Sequence, residues 1–303
     1  MPLWVAITLA AALFQCWRTA LQQRLRGQLS LNAAAVVRYL YGVPFGALIL
    51  LVYWLIFGGS FGPVSWWFIA LCAMAGLGQI FGTNLLISSF GPRGFAVGTA
   101  YSKTEAVQAS LLSIVLLGEV LPALSWLGIA ISVSGVMYLT LAGRGLTGRD
   151  ILRATFQPAA LCGIGAGTFF AFTSIFVRKA NLELPGEDVI LKALFSVVVT
   201  NILQTVMQGG WLLATEPKQL VAVFRSWRSS MQVGALSAFG SSCWFVGFSL
   251  APVALVRAVG QVEIVFTLLF SRFFLGERLK TKDVVGALTL VGGVVLVLLG
   301  ALR

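Results

Sequence analysis

The sequence contains no histidine. That removes the commonest metal ligand and the side chain most often used to move protons near neutral pH. Neither an H-E-x-x-H metal motif nor a G-x-S-x-G nucleophile elbow occurs, so an intramembrane hydrolase has nothing to work with and no enzyme, metal or cofactor is expected. Charge is scarce as well: Asp, Glu, Lys and Arg make up 10% of the 303 residues and hydrophobic residues 58%. Soluble domains carry roughly 25% and 45–50%, so a soluble enzyme is excluded. The few acids (10) are outnumbered by bases (21), for a net charge of +11. Those bases fall in short loops between apolar runs, where orientation in a membrane accounts for them and a nucleic-acid partner is not expected. The four cysteines, Cys16, Cys72, Cys162 and Cys243, lie in apolar runs without metal-type spacing and read as small core residues. The opening Met-Pro-Leu-Trp lacks the basic start of a secretory signal, so residue 3 onward reads as a retained helix.

What is present is a succession of apolar runs. A spanning helix needs about 20 mostly apolar residues. Ten runs qualify: 3–22, 32–57, 65–87, 94–117, 122–142, 158–177, 189–214, 230–250, 253–275 and 284–301. Gly and Pro punctuate the connections, as at Gly91-Pro92, Pro122, Pro185-Gly186, Pro217 and Pro252. Only the fifth and seventh connections are long. GxxxG spacings at Gly42/Gly46, Gly78/Gly82, Gly94/Gly98 and Gly163/Gly167 suit close helix packing.

The chain is also duplicated. Glu105, Glu119, Leu121, Gly128 and Gly135 recur as Glu263, Glu277, Leu279, Gly286 and Gly293, every pair 158 positions apart without a gap. The two repeats are residues 1–147 and 148–303. Five helices per repeat is an odd number, so the second repeat lies inverted in the membrane, and a site is expected at the repeat interface near the midplane. Twelve loop bases, from Arg24 to Lys282, fall in odd-numbered loops, while Arg178, Lys179 and Arg303 lie in even loops or at a terminus. The positive-inside rule then puts the odd loops in the cytoplasm and both termini in the periplasm.

The start at Ala251-Pro252-Val253, the apolar run, Leu275-Gly276-Glu277-Arg278-Leu279 and the Gly286/Gly293 helix resemble the C-terminal signature of EamA-type proteins of the drug/metabolite transporter superfamily. Gly91-Pro92, Leu117-Gly118-Glu119, Gly128 and Gly135 are similar to that family's other repeat. The resemblance implies an all-α integral membrane protein with ten transmembrane helices in two inverted five-helix repeats. It also implies a bacterial inner-membrane carrier that exports amino acids or other small metabolites by alternating access. Many members of the family are expected to keep both termini in the cytoplasm, whereas the loop charges here put them outside.

Ionisable residues inside spans are costly and mark functional sites. The candidates for substrate binding or proton coupling are Glu105, Glu263, Lys103, Arg38, Tyr101, Gln108, Arg257 and Gln261. On continuous helices Tyr101, Glu105 and Gln108 share one face and Lys103 turns toward that of Thr99; Arg257 goes with Gln261, and Glu263 with Val259 and Phe266. The acids are placed to exchange a proton or hold a substrate amine, and Lys103 or Arg38 to meet an anionic group. The structural alternative is static bridging, of Glu105 to Arg38 or the neighbours of Lys103, and of Glu263 to Arg257. Gln15, Gln79, Asn84, Phe172 and Trp244 are candidate cavity lining, and Glu119 and Glu277 read as structural devices at helix starts. The partners implied are a small-molecule substrate, the lipid bilayer and protons, for a monomer or homodimer. Competing functions are proton-coupled efflux of hydrophobic cations and a non-transporting scaffold subunit, which would have no use for paired midplane acids. The loop charges predict that a reporter active only in the cytoplasm stays silent when fused after Arg303; strong activity would reverse the orientation.

Overall fold

The computed structural model describes residues 2–25, 28–89, 95–141, 156–274 and 281–302, all of it helix, turn or connection with no strand among them. The helices are α1 (Leu3–Leu25), α2 (Leu31–Leu40), α3 (Gly42–Phe57), α4 (Trp66–Ser88), α5 (Phe95–Ser102), α6 (Glu105–Leu117) and α7 (Ala123–Leu141). After the fifth connection come α8 (Pro158–Glu183), α9 (Val189–Thr215), α10 (Pro217–Arg225), α11 (Trp227–Leu250), α12 (Val253–Gly260), α13 (Glu263–Phe274) and α14 (Thr281–Ala301). Among the described residues nine stretches are long and apolar enough to cross a membrane. The tenth expected span, 94–117, is present as α5 and α6, each too short to cross alone. Gly91-Pro92, Gly94, Leu275 to Lys280 and the bases Arg26, Arg93, Arg144, Arg149, Arg153 and Arg303 lie outside the described residues.

Four expectations about element boundaries change, the first being that the run 32–57 is divided at Tyr41 into α2 and α3. The spans 94–117 and 253–275 are each broken, at Lys103-Thr104 and at Gln261-Val262. The seventh connection is not an open loop but holds α10, with Pro217 at its first turn, where a missing N–H costs nothing. Its Val223 is buried against α2 and α11 residues such as Val36, Val37 and Val233, and Val221 and Phe224 are exposed. Asn32 donates to Glu216 (2.9 Å) and the Ser30 N–H to Gln219 (2.9 Å), docking α10 on the start of α2. Hydrogen bonds from Ser30 and Asn32 hold the Glu216 carboxyl below the usual carboxylate range.

The chain divides into two compact units, each discontinuous in sequence. The first comprises Met1–Leu77 and Phe176–Ala251, and the second Gly78–Ile175 and Pro252–Arg303. In the first, α1 packs along α11, and Gly42 and Gly46 let α3 approach Asn201 and Val198 on α9. Asp188 caps α9 by accepting the Ile190 and Leu191 N–H groups, both at 2.9 Å, and Tyr53 donates to the same carboxylate at 3.0 Å. Arg178 donates to the carbonyls of Phe248 (2.6 Å) and Ser249 (2.8 Å), a cation satisfying the end of α11.

In the second unit the duplication is visible as geometry. Helices α12, α13 and α14 each start 158 positions after their counterparts α5, α6 and α7 (Phe95 and Val253, Glu105 and Glu263, Ala123 and Thr281). The counterparts α7 and α14 pack on each other through their glycines. A Cβ at Gly128 would lie 2.5 Å from the Val297 nitrogen and 2.6 Å from the Gly293 oxygen. One at Gly135 would lie 2.6 Å from the Leu290 nitrogen and 3.0 Å from the Gly286 oxygen. Gly128 thus meets the counterpart of Gly135, and Gly135 the counterpart of Gly128, which is a self-complementary two-fold contact between antiparallel helices. The repeats are inverted. In lipid such contacts rest on dispersion at close range rather than on apolar burial, which is why they need glycine.

That dependence predicts a contrast between adjacent positions. Gly293→Ala should lower stability by about 1–3 kcal/mol through overpacking. Gly292→Ala, which meets nothing within 4 Å, should cost nothing. Thermal unfolding of the two variants in one detergent checks this.

Candidate functional site

The candidate site lies in the second unit, where two broken spans meet. At each break the backbone tightens to i→i−3 hydrogen bonds: Lys103 N–H to Ala100 (3.1 Å) and Thr104 N–H to Tyr101 (3.2 Å), then Gln261 N–H to Ala258 (3.3 Å) and Val262 N–H to Val259 (3.1 Å). The four donors and four acceptors are repeat counterparts, so one turn chemistry has been kept twice. Each break ends on a glutamate as first residue of the next helix, Glu105 on α6 and Glu263 on α13. A carboxylate in a first turn is favoured by the helix dipole, by up to about 2 kcal/mol where it is partly buried.

The charges pair crosswise. Lys103 Nζ is 3.1 Å from Glu263 Oε2, and Arg257 Nε is 2.8 Å from Glu105 Oε1. Each glutamate therefore faces a base from the other repeat. The four side chains are only 14–21% exposed. The counterpart of Lys103 is Gln261, which cannot pair with Glu105; Arg257, at the counterpart of Thr99, takes that place. Gln261 reaches the Lys103 carbonyl at 3.5 Å.

Helix α8 seats this cluster. Arg257 donates through Nε to Ser174 Oγ (2.7 Å) and through Nη2 to the Phe170 carbonyl (3.2 Å). Gly163 and Gly167 let α8 lie against the break: a Cβ at Gly167 would sit 3.0 Å from the Ser102 oxygen and 3.3 Å from the Glu105 nitrogen. Gln108 accepts from Thr168 (2.6 Å) and donates to Thr104 (2.8 Å), so it ties α6 to α8. Glu119 Oε2 accepts the Val253 N–H at 3.0 Å and caps α12, whose own N-cap is a proline without a side-chain acceptor. Its counterpart Glu277 lies outside the described residues.

The faces expected from uninterrupted helices are corrected. Lys103 does not turn away with Thr99 but meets Glu263. The reason is the break, which ends the 3.6-residue period between 102 and 105. Tyr101 packs with Val97, Ala100, Leu141 and Ala160. Arg257 bridges Glu105, a pair the helical periodicity did not offer. Among the lining candidates, Trp244 Nε1 donates to Gln15 Oε1 at 3.0 Å in the first unit, an interhelical bond between α11 and α1. Gln79, Asn84 and Phe172 are half-buried on α4 and α8. Arg38 is buried in α2 of the first unit. The roles of Thr168, Ser174 and Arg178 were not legible, because a hydroxyl or a base in a span carries no sign of its partner.

The fold is that of a polytopic helical membrane protein with inverted repeats. Residues 157–299 match the family model of the EamA-like transporter family. The resemblance drawn from the signature residues is thus met independently over the second repeat, and it supports a transporter role. A protein of known crystal structure is similar over 97% of both chains, with a TM-score of 0.71 and 16% identity, a likeness that shows the fold. No curated protein matches.

The crosswise pairing predicts that charge reversal at one partner is repaired at the other. Lys103→Glu alone gathers a third acid at the break and should cost on the order of 3 kcal/mol or more. Lys103→Glu with Glu263→Lys should recover most of that loss. A double-mutant cycle on thermal unfolding checks it; equal losses in single and double variants would deny the pair.

Proposed function

We propose that the chain is a secondary-active carrier that exports a small polar or amphipathic metabolite, such as an amino acid, across a bacterial inner membrane. The crosswise charge pairing at two counterpart helix breaks is the observation that supports this reading most. Discontinuous spans in matching positions of inverted repeats are how many carriers build a midplane site. A packing or scaffold role asks for neither the breaks nor the charges.

The chemistry follows from exchange of partners. A solute ammonium can take the place of Lys103 or Arg257 beside a glutamate, and a solute carboxylate can take the place of a glutamate beside a base. A zwitterion does both and leaves no charge unanswered. A lipophilic cation answers the acids and strands two bases, so the pairing favours the metabolite reading over drug efflux. Protonation of Glu105 or Glu263 is the other way to release a base, and it would link solute movement to a proton gradient. In this scheme Gln108 and Glu119 position helices, while Glu105, Glu263, Lys103 and Arg257 contact the cargo.

Glu105→Gln and Glu263→Gln keep shape and some hydrogen bonding but cannot ionise. Each should cut solute flux into proteoliposomes at least tenfold, the equivalent of about 1.4 kcal/mol. Stability is measured on the same preparations. A static bridge predicts the opposite pattern, a lower unfolding temperature with flux of the surviving protein unchanged. Flux within about twofold of wild type in both variants would sink the proposal.

A further inference from the structure

Arg38 is the buried base whose position the site in the second unit does not use. It lies on α2, seven residues past the first residue of that helix, and retains 8% of its surface. Its neighbours along the helix, from Ala33 to Tyr39, are buried with it. An arginine does not shed its proton in a protein, so the side chain is a fixed cation. Three other bases of the spans are answered: Lys103 by Glu263, Arg257 by Glu105, Arg178 by the carbonyls ending α11. Arg38 is not. Among the described residues no carboxylate pairs with it, its Nε is buried without a hydrogen-bond partner, and its guanidinium lies 5.4 Å from the ring centre of the adjacent Tyr39.

The acids of the first unit are placed elsewhere. Glu183 accepts from Ser65, Asp188 caps α9, Glu216 accepts from Asn32, and Glu187 is exposed. Nor is Arg38 the only unanswered group. The Tyr39 hydroxyl and the Gln208 Oε1 are buried without partners too. Gly46 lies against Val198 and Gly42 against Asn201, so α3 and α9 run antiparallel. One further turn back, that register brings Arg38 level with the stretch from Gln204 to Gln208. A buried charge without a partner destabilises the fold that holds it, and such a group is retained where a ligand supplies the missing charge.

We propose that Arg38 binds the oxyanion of a solute, a carboxylate or phosphate group that its planar fork can take through two hydrogen bonds. That the solute is cargo rests on the carrier reading; the binding itself does not. The same oxyanion chemistry is offered by a free solute and by a lipid headgroup, and the site is assigned to the solute because Arg38 is enclosed by its own helix and its neighbours.

The test is thermal unfolding of the full-length protein in detergent, with sodium acetate or sodium phosphate against sodium chloride at matched ionic strength. A third arm adds phosphatidylglycerol to the micelles. Acetate or phosphate should raise the wild-type midpoint by at least about 2 °C over chloride. Arg38→Gln and Arg38→Met should lose that shift, and Arg38→Lys should keep part of it. In chloride alone Arg38→Met should unfold at or above the wild-type temperature, since the charge it removes has no partner. The proposal is overturned by an equal shift in Arg38→Gln, by no shift in wild type, or by protection from the lipid alone. It is equally overturned if Arg38→Met unfolds well below wild type or fails to fold, which marks Arg38 as structural. Solute flux without Arg38-dependent protection would sink this inference and leave the carrier reading standing.

Discussion

A polar group inside a bilayer has to be answered by the protein, because no water is there to answer it. Most of this structure is a solution to that one constraint. Backbone groups are answered by helices, helix ends by Ser30, Asp188, Glu119 and Arg178, and the charges at the two breaks by each other. The breaks themselves open the hydrogen-bond ladder in mid-span, the costliest place to do so. They are tolerated because the backbone tightens locally and because a glutamate, itself favoured at a helix start, begins the next segment.

Duplication explains why the solution comes in two copies, and divergence explains why the copies are not alike. A symmetric ancestor of this arrangement would set the same base against each glutamate. Here the counterpart of Lys103 in the second repeat is Gln261, and Arg257 supplies the charge from one turn earlier, where the first repeat has Thr99. Both glutamates stay paired, but with bases of different reach and geometry. Arg257 is held by Ser174 and the Phe170 carbonyl, whereas Lys103 reaches Glu263 on a four-carbon stem. The two halves of the charge cluster are therefore chemically distinct.

Close packing around the site has a second requirement, glycine on the facing helices. Gly128 and Gly135 against Gly293 and Gly286 bring α7 and α14 into backbone contact, and Gly163 and Gly167 do the same for α8 beside the first break. Apolar side chains such as Val115, Leu288 and Phe57 face outward instead, since lipid is as good a neighbour for them as protein.

The sequence by itself determined the membrane class, the spans, the duplication and its inversion, because each follows from one-dimensional facts: run length, a fixed offset of 158, an odd count of helices per repeat. It also singled out Glu105, Glu263, Lys103 and Arg257, because charge in an apolar run stands out whatever its partner. What it could not decide was who pairs with whom. Helical periodicity joins residues three or four apart, and it put Lys103 off the face of Glu105 and Arg257 beside Gln261. Only the tertiary structure shows that the period is interrupted at 103–104 and 261–262, and that the partners come from the opposite repeat, about 150 to 160 positions away. Distance along the chain carries no information about such pairs. Folding two inverted copies against each other creates them.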